Sequence, residues 1–296
     1  MITTLGQEID LKRKIKEVLA FFDLFDYPLT PLEIWHYLDK KFSFKEVLFL
    51  LDNMNDVCKE QGLIFLSGRN SIINVRKKRY NYTKRKLKKA KHFSFLFSLC
   101  PFVQLILLGN SLGSYNLRDG SDIDFVIISK PRRLWLTRLY CAGLAAILNS
   151  RPKKGDKRDK ICLSFYISSD SLNLDNLQLK PEDPYFFYWL RSLVVLYNKN
   201  KTYERFLQDN KLFFNDKIRF DLKNKEKKNL LVYKFFNILE DLAKNFQLLI
   251  MAAELKMAAN NSVGVVINNK VLKLYLRDNR QEYLEKYGNK LQQISA

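Results

Sequence analysis

Two aspartates, Asp122 and Asp124, stand at the head of the run Asp122-Ile123-Asp124-Phe125-Val126-Ile127-Ile128. In an extended chain successive side chains point to opposite faces, so in a strand these two carboxylates project to the same side. Neighbouring carboxylates repel, and the arrangement is costly unless a cation lies between them. Hard oxygen donors of this kind suit Mg²⁺, which is usually bound by one or two carboxylates together with substrate phosphates. Upstream, the apolar run Val103-Gln104-Leu105-Ile106-Leu107-Leu108 ends at Gly109-Asn110-Ser111. The backbone N–H groups and hydroxyl of such a turn suit phosphate oxygens. Ser121 adds a second hydroxyl beside the aspartates. An isolated Asp-x-Asp is usually a solvated pair. The combination points to a metal–nucleotide site, with Asp122 and Asp124 as catalytic metal ligands and Gly109, Asn110, Ser111 and Ser121 as phosphate-binding residues.

Ten residues separate Ser111 from Asp122, and a second apolar strand follows. This order of apolar strand, small-residue turn, spacer and Asp-x-Asp resembles the signature of the DNA polymerase beta-like nucleotidyltransferase superfamily. The resemblance implies a mixed sheet with flanking helices, an NTP as substrate and Mg²⁺ or Mn²⁺ as cofactor. It further implies transfer of a nucleoside monophosphate to a hydroxyl-bearing acceptor, with RNA or another nucleic acid among the candidate acceptors. Four further stretches carry a wider resemblance: Phe22-Asp23-Leu24-Phe25-Asp26-Tyr27-Pro28-Leu29-Thr30, Arg133 to Leu139, Lys160 to Ser164 and Thr202 to Leu207. Together they resemble poorly characterised bacterial proteins that join an N-terminal winged helix to a nucleotidyltransferase domain.

Two features depart from the superfamily pattern. Asn110 stands between Gly109 and Ser111, where Gly-Gly or Gly-Ser is more usual. Active members also carry a third carboxylate on the strand after the connecting helix. Here that strand, Ile161 to Ile167, contains no Asp or Glu. Alternation predicts Cys162, Ser164 and Tyr166 on one face and Ile161, Leu163, Phe165 and Ile167 on the other. Asp156, Asp159 and Asp170 flank the strand and are the alternative carboxylates.

The elements that must position this site read as an α+β chain. Residues 1–80 are expected to form a winged helix-turn-helix, 81–180 the nucleotidyltransferase core and 181–296 a helical C-terminal domain. Residues 9–27 have helical apolar spacing. Thr30-Pro31 starts a second helix to Leu38, and Ser43 with Glu46 forms a capping box for a third helix reaching Cys58. Residues 62–66 and 71–75, separated by Ser67-Gly68-Arg69-Asn70, read as a hairpin. The third helix lacks arginine and carries Glu46, Asp52 and Asp56 beside Lys45, a poor set for reading DNA. A helix is expected from about Thr83 to Pro101, and another opened by the stretch Lys130–Arg138 and running to about Asn149. Leu230–Asn260 reads as a long helix, broken by Asn261-Ser262-Val263-Gly264, and Arg280–Gln293 as the last one.

The net charge of +20 is uneven. Residues 1–75 hold 9 Lys+Arg against 11 Asp+Glu, whereas 76–160 hold 21 against 5. Arg76 to Lys91 alone has ten basic residues in sixteen, either a solvated helix face or a phosphate collector. Such a field attracts polyanions. The four cysteines (Cys58, Cys100, Cys141, Cys162) are far apart and read as reduced core residues. With only His36 and His92, a His-rich metal centre or a catalytic triad is unsupported. No leader is expected in Met1–Asp10 and no membrane span elsewhere, so the expected location is cytoplasmic. Besides the enzyme, two alternatives fit the residues: a nucleotide sensor without turnover, and a nucleic-acid-binding protein whose basic belt follows a phosphate backbone.

Overall fold

The computed structural model describes residues 5–38, 41–109, 115–211, 230–259 and 264–295. Helix α1 (Leu5–Asp23) buries Leu11, Ile15, Val18, Leu19 and Phe22, the i, i+3, i+4 stripe of an amphipathic helix. It stops earlier than its apolar spacing suggests, because Asp26 takes a left-handed φ of 52° and turns the chain. Helices α2 (Pro31–Tyr37) and α3 (Phe44–Asn53) both carry complete capping boxes, Thr30 with Glu33 and Ser43 with Glu46.

The hairpin differs from expectation. Strand β1 (Val57–Glu60) pairs antiparallel with β2 (Leu63–Leu66) across Gln61-Gly62. Both turn residues have positive φ, 54° and 74°, which the twist of a two-residue hairpin favours. Residues 71–75, expected as the second strand, instead begin helix α4 (Ile72–Ser98). Ile72 and Ile73 there pack on Leu63 and Phe65, so contact with the hairpin overrides their β propensity.

Helix α4 is one continuous element of 27 residues, starting well before the expected Thr83. Its basic run is only partly a solvated face. Arg76 bonds Glu33 and the Pro28 carbonyl, and Arg79 reaches the Phe25 carbonyl and Asn116. Lys86 is fully buried.

Beyond it, β3 (Val103–Leu108), β4 (Ile123–Ser129), α5 (Leu134–Ile147) and β5 (Ile161–Ser168) follow as expected. The region after residue 180 is not purely helical. It contributes α6 (Pro184–Arg191), β6 (Val194–Asn198), α7 (Thr202–Asp209), α8 (Leu230–Ile250), α9 (Ala253–Met257), β7 (Val265–Ile267), β8 (Val271–Leu274) and α10 (Arg280–Ser295). The six-stranded mixed sheet runs β6-β3-β4-β5-β8-β7, so three of its strands lie beyond the boundary expected at 180. Of the interruption expected at 261–264, residues 261–263 lie outside the described residues.

Among the described residues only β4 and β5 pair in parallel, joined through α5 as a parallel connection requires. One sheet face carries Ile106, Leu108, Ile123, Phe125 and Ile127 against α4, α5 and α8. The other carries Leu105, Leu107, Val126, Ile128, Phe165 and Ile167 against α6 and α7. The N-terminal helices form a separate apolar cluster into which α6 sends Tyr188, stacked on Phe21 at 4.2 Å. Helix α10 closes the unit: Lys290 and Arg69 both reach the buried Asp23 carboxylate, at 2.7 Å each. No helix among the described residues is long and apolar enough to cross a membrane.

Gly264 supports the β7–β8 edge. A Cβ there would fall 2.2 Å from the Tyr275 carbonyl oxygen, while Gly264 O accepts from Tyr275 N at 3.0 Å. Gly264→Ala is therefore expected to cost about 2 kcal/mol, read as a lower urea midpoint at unchanged m-value.

Candidate functional site

Strand β4 alternates cleanly. Ile123 and Phe125 enter the layer of α4 and α5, while Val126 and Ile128 enter that of α6. Asp124, between Ile123 and Phe125, therefore belongs to the α6 side, and Asp122, just before the strand, shares that side. Neither is fully buried.

Across the parallel ladder Asp124 is the register partner of Cys162, and the ladder shifts between Asp124 and Val126, which pairs with Phe165. This bulge corrects the expected alternation of β5. Ile161, Leu163 and Tyr166 pack on the α5 side, while Phe165 and Ile167 pack on the α6 side. Tyr166 thus leaves the face of Cys162. The extra residue is accommodated where β5 passes the aspartates, as bulges beside functional surfaces commonly do.

The result is a three-donor cluster. One carboxylate oxygen each of Asp122 and Asp124 and the Cys162 sulfur all lie within 4.8 Å of one another. Cys162 donates a hydrogen bond to Asp124 and its sulfur lies 3.2 Å from Ser164 Oγ. Burial, reinforced by the Asp124 charge, pushes the Cys162 thiol well above its ordinary range. Burial also raises the Asp122 carboxyl, against the pull of its own backbone N–H and the charges of Lys157 and Lys86. Cys162, expected as a reduced core cysteine, stands where a third carboxylate is expected in the superfamily pattern. The available signal was its position, the first polar residue of β5, opposite Asp124. Asp156, Asp159 and Asp170 do not join the cluster. Asp156 pairs with Lys160, Asp159 with Arg85 and Lys86, and Asp170 accepts from the Ser168 hydroxyl.

The segment entering β4 is pinned from α4. Lys86 Nζ donates to the Asp119 carbonyl at 3.0 Å, the Ser121 carbonyl at 2.5 Å and Asp159 Oδ1 at 2.7 Å. Arg85 bonds Asp119 and Asp159, and Thr83 Oγ1 accepts from Leu117 N. The basic helix thus holds the acidic loop in place, and its outer residues Lys77, Lys78, Lys84 and Lys88 stay exposed.

The four expected phosphate-binding residues divide. Asn110 and Ser111 lie outside the described residues. Ser121 Oγ donates to the Arg118 carbonyl at 3.0 Å, closing a local turn. Gly109 N–H donates to the Asp124 carbonyl at 2.8 Å, completing the β3–β4 ladder. What Gly109 supplies is therefore space rather than a donor. A Cβ there would meet Val126 Cγ2 at 3.3 Å and Trp189 Nε1 at 3.7 Å. Gly109→Ala is expected to cost about 1 kcal/mol and to alter Trp189 fluorescence, both read in a urea titration.

No family model, curated protein or solved structure matches this chain.

A cavity of about 250 Å³ opens from Gly109 and Asp124, lined among others by Phe165, Tyr185, Trp189, Tyr275 and Lys273. Tyr275 lies close enough to Asp124 and Cys162 that their charges add to the effect of burial in raising its hydroxyl. At the far side Arg280 joins Asp183 at 2.6 Å and Asp278 at 2.8 Å, and Lys273 reaches Asp278 at 3.1 Å. Burial raises the Asp278 carboxyl, but hydrogen bonds and charge from Arg280 and Lys273 outweigh it and hold the group at about 2. At neutral pH the Asp278 carboxylate is therefore ionised and paired with Arg280 and Lys273. Flat aromatic walls and a polar end suit a planar or ring-shaped ligand. The two carboxylates supply oxygen donors for a cation, and Cys162 a softer one.

Proposed function

We propose that this chain is a nucleotidyltransferase-fold protein that transfers a nucleoside monophosphate from an NTP to a hydroxyl-bearing acceptor in a reaction requiring a divalent cation. The observation that carries this reading is the convergence of Asp122, Asp124 and Cys162 within 4.8 Å, at the mouth of a cavity that Asp124 itself lines. Asp122 and Asp124 hold the cation, and the cavity orients one ring-bearing reactant against it. When bound, the cation supplies charge compensation to the triphosphate and acidifies the attacking hydroxyl. Trp189, Tyr275 and Tyr185 exclude water around the reacting groups. Lys157, exposed and close enough for its charge to act on Asp122, is available to a polyphosphate at this end of the site. The N-terminal helices and hairpin are the winged-helix module of this arrangement.

The test is release of pyrophosphate from each of the four NTPs with a divalent cation, combined with labelled-nucleotide incorporation into total RNA, protein and small molecules. Label in any acceptor supports transfer, and its absence from all of them ends the enzyme reading. A second reading, a nucleotide sensor without turnover, is favoured by one observation: a thiol faces Asp124 where superfamily enzymes carry a carboxylate. Such a sensor binds NTP and releases no pyrophosphate with any acceptor.

A further inference from the structure

The donor set of the cluster is two oxygens and one sulfur, and this bears on which cation it takes. We propose that the site selects a borderline transition-metal dication of the zinc type over Mg²⁺, with the Cys162 thiolate as its third protein ligand. The proposal rests on the reading that Asp122 and Asp124 hold a divalent cation.

Three observations support it. Cys162 is the register partner of Asp124 on the neighbouring parallel strand, so backbone pairing fixes the thiol opposite the carboxylate. The three donor atoms lie within 4.8 Å of one another. Ligands at about 2.0–2.3 Å from a shared tetrahedral ion stand roughly 3.5 Å apart, so small side-chain rotations close the site. Ser164 Oγ, 3.2 Å from the sulfur, is placed to donate to the thiolate and orient it, the part an outer partner plays around a metal ligand.

Chemistry then separates the metals. Mg²⁺ takes hard oxygen ligands in octahedral geometry and keeps its waters. Zn²⁺ accepts thiolate and carboxylate together in a tetrahedral site, and a thiolate ligand favours it over the hard cations Mg²⁺ and Mn²⁺. On binding, the Cys162 proton passes to solvent, the S–H···O bond to Asp124 is lost, and a metal–sulfur bond forms.

The experiment titrates chelator-stripped full-length protein with Co²⁺, whose thiolate complexes show sulfur-to-metal charge-transfer absorption in the near-ultraviolet. The wild-type protein is expected to show this band and to lose it on competition with Zn²⁺ but not with equimolar Mg²⁺. Cys162→Ser should abolish the band and weaken Co²⁺ by at least the roughly 10- to 100-fold that loss of an outer partner costs, while Cys58→Ser, outside the cluster, keeps it. Should Cys162→Ser fail to fold, Cys162→Asp provides the second arm, expected to lose the band and to bind Mg²⁺ more tightly than wild type. Co²⁺ binding in the wild type without a thiolate band, or Mg²⁺ displacing Co²⁺ at equal concentration, overturns the proposal and leaves the cation site intact. Failure to bind any of Zn²⁺, Co²⁺, Mn²⁺ or Mg²⁺ overturns the cation site and the proposal with it.

Discussion

Replacing Asp122 and Asp124 together by asparagine is expected to lower pyrophosphate release by roughly three orders of magnitude, the scale on which removing preorganised charge stabilisation acts. The protein should remain folded, and the single change Asp122→Asn should, without metal, make it more stable than wild type. The Asp122 carboxyl is raised by burial beyond what its backbone N–H, Lys157 and Lys86 pull back. A group whose folded pKa lies above its unfolded value contributes stability below the unfolded value, near 3.8 here, and loses it as pH rises through the folded value. At neutral pH the wild type bears that cost and Asp122→Asn does not. Melting temperatures in chelator at pH 7 and pH 4 check the sign. The gain over wild type should be larger at pH 7, and a variant less stable than wild type at pH 7 would contradict the burial argument.

Lys86→Met is expected to have the largest effect on stability. The ammonium is fully buried and serves the Asp119 carbonyl, the Ser121 carbonyl and Asp159. Removing one member of a buried ion pair leaves its partners without compensation, which costs about 3 kcal/mol. The value belongs at the low end because Asp159 keeps Arg85 at 2.9 Å. The same change releases the loop that leads into Asp122, so cation binding should fall with it. Lys88→Met removes the same charge from the same helix at an exposed position, and should stay within about 0.5 kcal/mol of wild type. Urea unfolding of the two variants separates an anchoring role of the basic helix from a purely electrostatic one.

Much of the central sheet was legible in the sequence. Val103–Leu108 and Asp122–Ile128 are short apolar runs bounded by turn residues, and the structure pairs them antiparallel. The capping boxes at Thr30 and Ser43 were equally plain, because a side-chain cap needs only residues three apart. Elements whose state depends on distant partners were harder to read. Ser71-Ile72-Ile73-Asn74-Val75 has β propensity, but Arg76 and Arg79 tie the following residues to Pro28 and Phe25 carbonyls far back in the chain, and the segment enters α4. Strand β6 was hidden in an aromatic stretch continuous with α6. The hairpin of β7 and β8, by contrast, carried a signal in Val265-Val266-Ile267, Asn268-Asn269-Lys270 and Val271-Leu272. At the candidate site the aspartates could be read from spacing, whereas Cys162 required the register of a parallel ladder. The shift beyond Asp124 that moves Tyr166 away leaves no mark in local sequence.

The sheet order has a consequence for biosynthesis. Strands β3 and β5 each have a margin taken by a strand that leaves the ribosome later, β6 beside the first and β8 beside the second. Tyr275 and Tyr283, which line the cavity, are translated later still. A nascent chain holding both aspartates therefore exposes two open strand margins and has no closed chamber, a state prone to sticking. An early stop codon upstream of the final helix would leave the acidic signature intact in the gene product while removing part of the cavity wall.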